Sequence, residues 1–387
     1  MEGKNILVIN GLLHGHFTGT VEVVKQLVSL GYNVTCYVLD SFAERISKVG
    51  AKLEILKLDL SDFQQKYPEA PKVAINPYRF QKAYDAIFTL FQNEKTKYDY
   101  LLVDSFFEYS EMNKIFKFPL SKIITIYTAF CLTDQKTMAI DFYDKGIPFM
   151  LKPVSDKYNL NLQNYIRFHY INPNKNNKII LTSKFFHLRG ETVDETFYFI
   201  GPSIEEREID PNFNFKKEEN KKLIYISLGT IHNQNKDFYL LCIEAFKNSE
   251  KYQVIMSIGN MNDIALLGEI PSNFSVFHYV PQHQVLKMAD FFITHGGLNS
   301  TQEALFNNLP LIVLPQKFDQ FDNAKRVEEL GAGIAIDKSK LSVKTLQSSI
   351  NENESNREKY LNGIKKIVES FEEARSHREE IFKKLFA

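Results

Sequence analysis

Residues 291–333 read FFITHGGLNSTQEALFNNLPLIVLPQKFDQFDNAKRVEELGAG, from Phe291 to Gly333. The punctuation of this stretch decides the fold class. Phe291 to Thr294 has the apolar character of a short buried strand. It stops at His295-Gly296-Gly297 and passes into Asn299-Ser300-Thr301-Gln302-Glu303, which reads as the first turn of a helix. A glycine-rich turn from strand to helix aims backbone N–H groups and the positive end of the helix dipole at whatever lies above the sheet, so an anion, usually phosphate, is expected there. Taken alone, Gly-Gly before a helix is also common punctuation, and Asn or Ser near a helix start is an ordinary cap. The following residues change the balance. Glu303 falls further into the same helix, on a side where a carboxylate can reach a sugar hydroxyl pair. A second apolar strand, Leu309–Leu314, leads to Pro315, Asp319-Gln320 and Asn323. They sit at the carboxyl end of that strand, the edge where doubly wound sheets bind ligands.

Just upstream stands Tyr279-Val280-Pro281-Gln282, followed by Val285-Leu286. Together with His295-Gly296-Gly297, Asn299-Ser300-Thr301, Glu303-Ala304, Pro310, Pro315, Asp319-Gln320 and Asn323-Ala324, this run resembles the nucleotide-sugar signature of the family 1 UDP-glycosyltransferases. The likeness is closest to their bacterial macrolide glycosyltransferase branch, and a weaker likeness extends over nearly the whole chain. The resemblance implies a GT-B α/β fold: two Rossmann-like domains facing a cleft, with the acceptor on the N-terminal side and the sugar nucleotide on the C-terminal side. It further implies that Tyr279 stacks on uracil, that the backbone of Val280 reads the edge of the base, and that Gln282 belongs to the donor site. The amides of Gly297, Asn299 and Ser300, the imidazole of His295, and Thr230 would hold the diphosphate. Glu303 would bind the ribose hydroxyls, and Asp319 and Gln320 those of the sugar. Two residues depart from the plant-type pattern: Tyr279 and Leu298 stand where tryptophans are usual, which leaves uridine against thymidine open.

In the N-terminal half, Asn5–Asn10 reads as a buried parallel strand, ending in a loop from Gly11 to Gly19 that contains His14 and His16. Val21, Val24, Leu27 and Val28 then recur at helical spacing, and Gly31 sits where a C-cap belongs. The glycines do not fit GxGxxG, so no dinucleotide fingerprint is read. More βα units follow: strands at Asn33–Leu39, Lys52–Leu58 and Tyr100–Val103, and helices at Ser41–Val49 and Tyr78–Asn93. Asp104, at the end of its strand, suits either a helix N-cap or a functional acid. The resemblance assigns His16 as catalytic base and Asp104 as the carboxylate that orients it and supports its cation. After a strand at Ile123–Thr128, residues 129–174 are rich in Phe, Tyr, Met and Asn without a clear period. Phe130, Phe142, Tyr143, Phe149 and Met150 are assigned there to an acceptor wall, although each reads equally well as packing beneath a long loop. Lys178–Thr182 and Phe197–Ile200 close this domain as strands.

Residues 203–222, dense in Glu, Lys, Asn and Pro, read as a solvated linker. The second series of βα units opens with Leu223–Ser227 and the turn Ser227-Leu228-Gly229-Thr230, whose small hydroxyl residues suit close approach to a phosphate. Strands at Tyr252–Met256 and Ser275–His278 and a short helix at Gln282–Ala289 follow. From Val343 the tail is charged and helical, with Phe371, Ala374, Ile381 and Leu385 on one stripe. The expected organisation is an acceptor domain over 1–202, a linker over 203–222, a nucleotide-sugar domain over 223–368, and a C-terminal helix over 369–387 that packs back across the junction.

The 387 residues suffice for two cores. Lysine plus arginine equal aspartate plus glutamate at 47 each, so nothing favours nucleic acid or an acidic membrane surface as partner. Cys36, Cys131 and Cys242 form no metal-ligand spacing and read as core fillers in a reducing cytoplasm. The N-terminus MEGKNILVING lacks a long apolar segment, and no run approaches a membrane span. No DxD-like acidic cluster is present, so neither a metal nor a cofactor is expected, a UDP-sugar being a co-substrate. The function implied is inverting transfer of a hexose, glucose from UDP-glucose, to a hydroxyl of an apolar small molecule such as a macrolide or phenolic natural product. A GT-B transferase with a lipid or cell-wall acceptor and a catalytically silent sugar-nucleotide-binding protein stay open beside it; oligomeric state is not readable.

Overall fold

Runs of four to seven apolar residues buried on both faces form parallel strands when helices cross over between them. The computed structural model describes residues 3–69, 75–131, 146–162, 172, 175–204, 209–231 and 233–387, and the chain divides into two compact units. The first comprises Met1–Lys184, Arg189–Ser203 and Glu373–Ala387; the second comprises Phe185–Leu188 and Ile204–Glu372.

The first unit is built on seven strands: β1 (Asn5–Ile9), β2 (Asn33–Leu39), β3 (Lys52–Leu56), β4 (Tyr100–Asp104), β5 (Ile123–Tyr127), β6 (Asn177–Ile180) and β7 (Phe197–Phe199). Their order is β3-β2-β1-β4-β5-β6-β7, and the pairings are parallel. The order reverses between β1 and β4, which is where a doubly wound sheet opens a crevice at its carboxyl edge. Ile9 pairs with Val103, so the chain leaving β1 and Asp104 at the end of β4 emerge side by side. The second unit carries β8 (Lys222–Ser227), β9 (Tyr252–Ser257), β10 (Phe274–Phe277), β11 (Phe291–Thr294), β12 (Leu311–Val313) and β13 (Gly333–Ala335) in the parallel order β10-β9-β8-β11-β12-β13. Its reversal lies between β8 and β11, with Ser227 paired to Thr294.

One expectation about local structure is corrected. Residues Gly11–Gly19 are not a continuous loop: a helix runs His14–Ser29, so His16 stands in its first turn. The two glycines of this segment weigh against helix by propensity, but burial overrides it. Phe17, Thr18, Thr20, Val21 and Val24 turn into the core, and a Cβ on Gly19 would lie 2.5 Å from Leu181 Cδ1. Gly19 is there so that the helix can sit close to the segment after β6. The strand β13, three residues long, was not read from the sequence.

Glu373–Ala387 belongs to the first unit. On its helix, Arg378–Leu385, the buried side is Arg378, Phe382 and Leu385, and Phe386 follows. Ile381 and Ala374 of the expected stripe are only half-buried. Phe382, Leu385 and Phe386 join the cluster of Ile6, Val8 and Tyr100, and Tyr100 donates from its hydroxyl to the Ala387 carbonyl at 2.6 Å. Arg378, 4% exposed, donates to the carbonyls of Ile200, Gly201 and Pro202. A buried guanidinium needs such acceptors, and these three tie the tail to the segment where the first unit ends. Phe382→Ala is expected to cost about 3–5 kcal/mol, as for other buried phenylalanines. Urea unfolding checks this, and a loss below about 1 kcal/mol would mean that the tail is not part of this core.

Candidate active site

In the first unit, a polar cluster is assembled at the carboxyl ends of β1 and β4. Asp104 is fully buried, and His16 retains 13% side-chain exposure. His16 Nδ1 lies 3.0 Å from Oδ2 and 3.1 Å from Oδ1 of Asp104, and the Phe106 amide donates to Oδ1 at 2.9 Å. A carboxylate is acceptor-only when ionised, so Nδ1 carries the proton and Nε2 presents its lone pair. The Thr128 hydroxyl lies 2.9 Å from Nδ1 and 3.3 Å from Nε2. An oxygen so near both nitrogens sits over the ring rather than along either N–H axis, so it bounds the imidazole without taking the Nδ1 proton. The Phe106 ring packs against it at 4.1 Å. Thr20 anchors the turn by donating to the His16 carbonyl at 3.1 Å.

Gly11 makes this approach feasible. A Cβ there would fall 2.4 Å from the His16 Cβ and 2.8 Å from Asp104 Oδ2. Sequence reading passed over Gly11, Phe106 and Thr128. A glycine closing a strand is a sign of close backbone approach, and that signal was available for Gly11; the other two come together only through the sheet order. His14 is exposed, with its ring 6.4 Å from Phe42.

In the second unit, a separate cluster lies at the carboxyl ends of β8, β11 and β12. Gly229 (φ +75°) and Gly296 (φ +83°) adopt backbone conformations that side chains disfavour. Cβ atoms on Gly229 and Gly297 would fall 2.6 and 2.5 Å from the His295 ring, so both turns close onto that imidazole. Ser227 is buried, and its hydroxyl accepts from the Gly229 amide at 3.2 Å, which shapes the turn; Thr230 is exposed. Asn233 adds a support not anticipated, donating to the Gly229 carbonyl at 2.7 Å. The helix Leu298–Phe306 has Gly297 as N-cap, which offers no side chain to the first-turn amides of Asn299 and Ser300. These amides and the helix dipole make an electropositive end.

Glu303 is buried in the same helix, and Gln282 donates to its carboxylate at 2.7 Å and to the Ser300 hydroxyl at 3.2 Å. Tyr225 in turn donates to Gln282 Oε1 at 3.3 Å. Gln282 thus acts on Glu303 and Ser300 as their positioner. Tyr279 is 63% exposed, whereas the side chain of Val280 is buried. Beyond β12, the Gln320 carbonyl oxygen accepts from the Gln316 and Lys317 amides at 2.8 and 3.1 Å, so much of this side chain is spent on the loop itself. Asp319 begins the helix Gln320–Glu329, and Asn323 donates to both Asp319 and the Gly296 carbonyl. That last bond joins the turn after β11 to the helix that follows β12.

Comparison with known proteins places this geometry. The chain is 32% identical over 346 residues to the NDP-glycosyltransferase YjiC of Bacillus licheniformis, covering 86% of this chain and 85% of that protein. It is 32% identical to an uncharacterized UDP-glucosyltransferase, YojK, of Bacillus subtilis, covering 96% and 94%. The chain belongs to the family 1 macrolide-type glycosyltransferases. Residues 250–387 match the family model for the erythromycin biosynthesis protein CIII-like C-terminal domain. The glycosyltransferase of kitacinnamycin superposes with a TM-score of 0.80 at 22% identity over 100% of both chains, which identifies the fold as GT-B.

Of the acceptor wall expected for this glycosyltransferase, Phe130 is buried. Phe142 and Tyr143 lie outside the described residues, and Phe149 and Met150 are described only as backbone of the helix Gly146–Tyr158. No helix among the described residues is long and apolar enough to cross a membrane, and no group of three His, Cys, Asp or Glu side chains there is placed to hold a metal. Gly11→Ala is expected to push His16 away from Asp104. In proton NMR, the hydrogen-bonded Nδ1 proton should give a low-field resonance in the wild type that disappears in Gly11→Ala; a resonance unchanged by the substitution would show that Gly11 does not govern the pair.

Proposed function

We propose that the protein transfers glucose from UDP-glucose, with inversion, to a hydroxyl of an apolar small molecule. The observation that carries this reading is the His16–Asp104 pair at 3.0 Å. A hydroxyl is a poor nucleophile near neutral pH. His16 Nε2 takes its proton as the oxygen attacks the anomeric carbon, and Asp104 holds the imidazole tautomer and stabilises the imidazolium. Base catalysis from a positioned side chain is worth roughly 10²–10⁴ in rate. A silent binding protein would have no need of a buried carboxylate aimed at an imidazole that still reaches solvent.

The departing UDP gains negative charge as the glycosidic bond breaks. The amides of Gly297, Asn299 and Ser300, the His295 ring and the Thr230 hydroxyl receive that charge, in the manner of an oxyanion hole. No divalent ion is needed in this scheme. Glu303, pinned by Gln282, accepts from the ribose hydroxyls, and the open ring of Tyr279 stacks on uracil while the Val280 backbone meets its edge. Asp319 and the amide nitrogen of Gln320 contact the hexose; the Gln320 oxygen is already committed to its own loop. The curated relatives named above, one an NDP-glycosyltransferase and one a UDP-glucosyltransferase, support the donor class. The oleandomycin glycosyltransferase of Streptomyces antibioticus, 25% identical over 82% of this chain and 76% of that protein, supports a natural-product acceptor. Three buried cysteines outside any disulfide suit a cytoplasmic enzyme.

The test is transfer from UDP-glucose to a panel of phenolic and macrolide acceptors in excess EDTA, read by mass spectrometry, with UDP binding followed by calorimetry. The wild type should glucosylate at least one acceptor. His16→Ala should lose transfer by ~10²-fold or more, as expected for removal of a general base, while its UDP affinity stays within about twofold. Transfer that survives the substitution, or that requires added Mg²⁺, would contradict the scheme.

A further inference from the structure

The first unit holds a cavity of about 750 Å³, within the size range of small-molecule sites. Its floor and walls are Leu12 and Leu56, both buried, and the partly buried Leu39, Phe42, Ile55 and Leu58. These lie at and beyond the carboxyl ends of β1, β2 and β3. Two chains of ring contacts run from its lining toward His16. Phe42 stacks on Phe17, the neighbour of His16, with ring centroids 4.1 Å apart. Phe80 lies 5.2 Å from Phe106, whose ring is in turn 4.1 Å from His16.

One charged group in this apolar wall is unexplained. Arg79, which adjoins Phe80, lines the cavity half-buried. It makes no hydrogen bond or ion pair among the described residues, and burial disfavours its charge. The other charges are on the exposed rim. Asp59 accepts from the Ser61 amide at 2.9 Å and its hydroxyl at 2.6 Å, and Asp40 and Lys57 are exposed. A desolvated guanidinium facing an apolar space is completed by a planar bidentate anion. With Asp40, Asp59 and Lys57 on the solvated rim, Arg79 is the charge set among the apolar walls, which suits a ligand with one negative group on an apolar body.

We propose that this cavity is the acceptor subsite and that Arg79 selects hydroxylated apolar carboxylates, holding the carboxylate while a hydroxyl at the other end of the molecule reaches His16. The inference rests on the glucosyl-transfer reading above and adds the acceptor class to it. Neutral acceptors enter the same cavity and bind more weakly. Arg79 is a specificity residue and takes no part in the proton transfer.

The test pairs 6-hydroxy-2-naphthoate with its methyl ester, the same body without the charge. Each is titrated calorimetrically into the full-length wild type, Arg79→Lys and Arg79→Gln, with UDP as a control for folding. In the wild type the acid should bind at least ~tenfold more tightly than the ester, the gain expected of hydrogen bonds to a charged partner. Arg79→Gln should close that gap by weakening the acid alone, Arg79→Lys should retain part of it, and UDP affinity should be unchanged in both. Equal affinity for acid and ester in the wild type, no binding of either, or a gap that survives Arg79→Gln would overturn the proposal. Glucose transfer to the same probes separates this inference from the one beneath it. Selective binding of the acid without transfer to any acceptor would leave the subsite standing and sink the transferase reading; transfer to acid and ester with equal KM would do the reverse.

Discussion

A fully buried carboxylate at the end of β4 is the constraint around which the first unit is arranged. Charge taken out of water must be paired and hydrogen-bonded, and Asp104 meets that need with His16 Nδ1 and the Phe106 amide. The His16 contact is possible only because β1 and β4 are neighbours in the sheet, with Ile9 and Val103 in register. It also requires glycine at position 11, two residues past β1, and that the following helix begin early enough to place His16 in its first turn. Topology, backbone conformation and packing thus converge on one imidazole.

The second unit uses the same sheet edge to another end. Here the polar groups offered are backbone amides and a helix dipole, and the surrounding side chains are spent on shaping the backbone: Ser227 and Asn233 on the Gly229 turn, Asn323 on Gly296, and Gln320 on the Gln316-Lys317 loop. Glycines at positive φ bring those turns against His295. Gln282 does for Glu303 what Asp104 does for His16, fixing the direction of its side chain. Phe318, at φ +59°, lies in the loop just before Asp319; a bulky residue held there costs of order 1–3 kcal/mol, which the hydrogen bonds of Gln320 and Asn323 help to offset.

Legibility in the sequence followed the range of the interactions. The turn after β11 was readable because its glycines, helix start and acids fall within one short stretch, and buried parallel strands announce themselves as apolar runs. The start of the helix at His14 was not readable, since Gly15 and Gly19 argue locally against helix, and the packing of Gly19 on Leu181 lies far away in sequence. Gly333–Ala335 has no strand propensity of its own; it pairs because β12 presents an edge, and a Cβ on Gly333 would collide with the Leu311 carbonyl. Phe382 and Arg378 find partners at the other end of the chain, beyond any local pattern. That the Gln320 side chain bonds the Gln316-Lys317 loop depends on a loop path that its spacing does not reveal.

The central claim is that His16 and Asp104 act as one unit in proton transfer. Groups that act as a unit are non-additive when removed. The most direct measurement is a double-mutant cycle on kcat with UDP-glucose held saturating, using His16→Ala, Asp104→Asn and the double variant. The account predicts that each single variant loses most of the turnover and that the double variant is no slower than His16→Ala alone. If the two losses instead multiplied, Asp104 would be contributing independently of the imidazole, and the pair at the head of the sheet would not be the catalytic unit described.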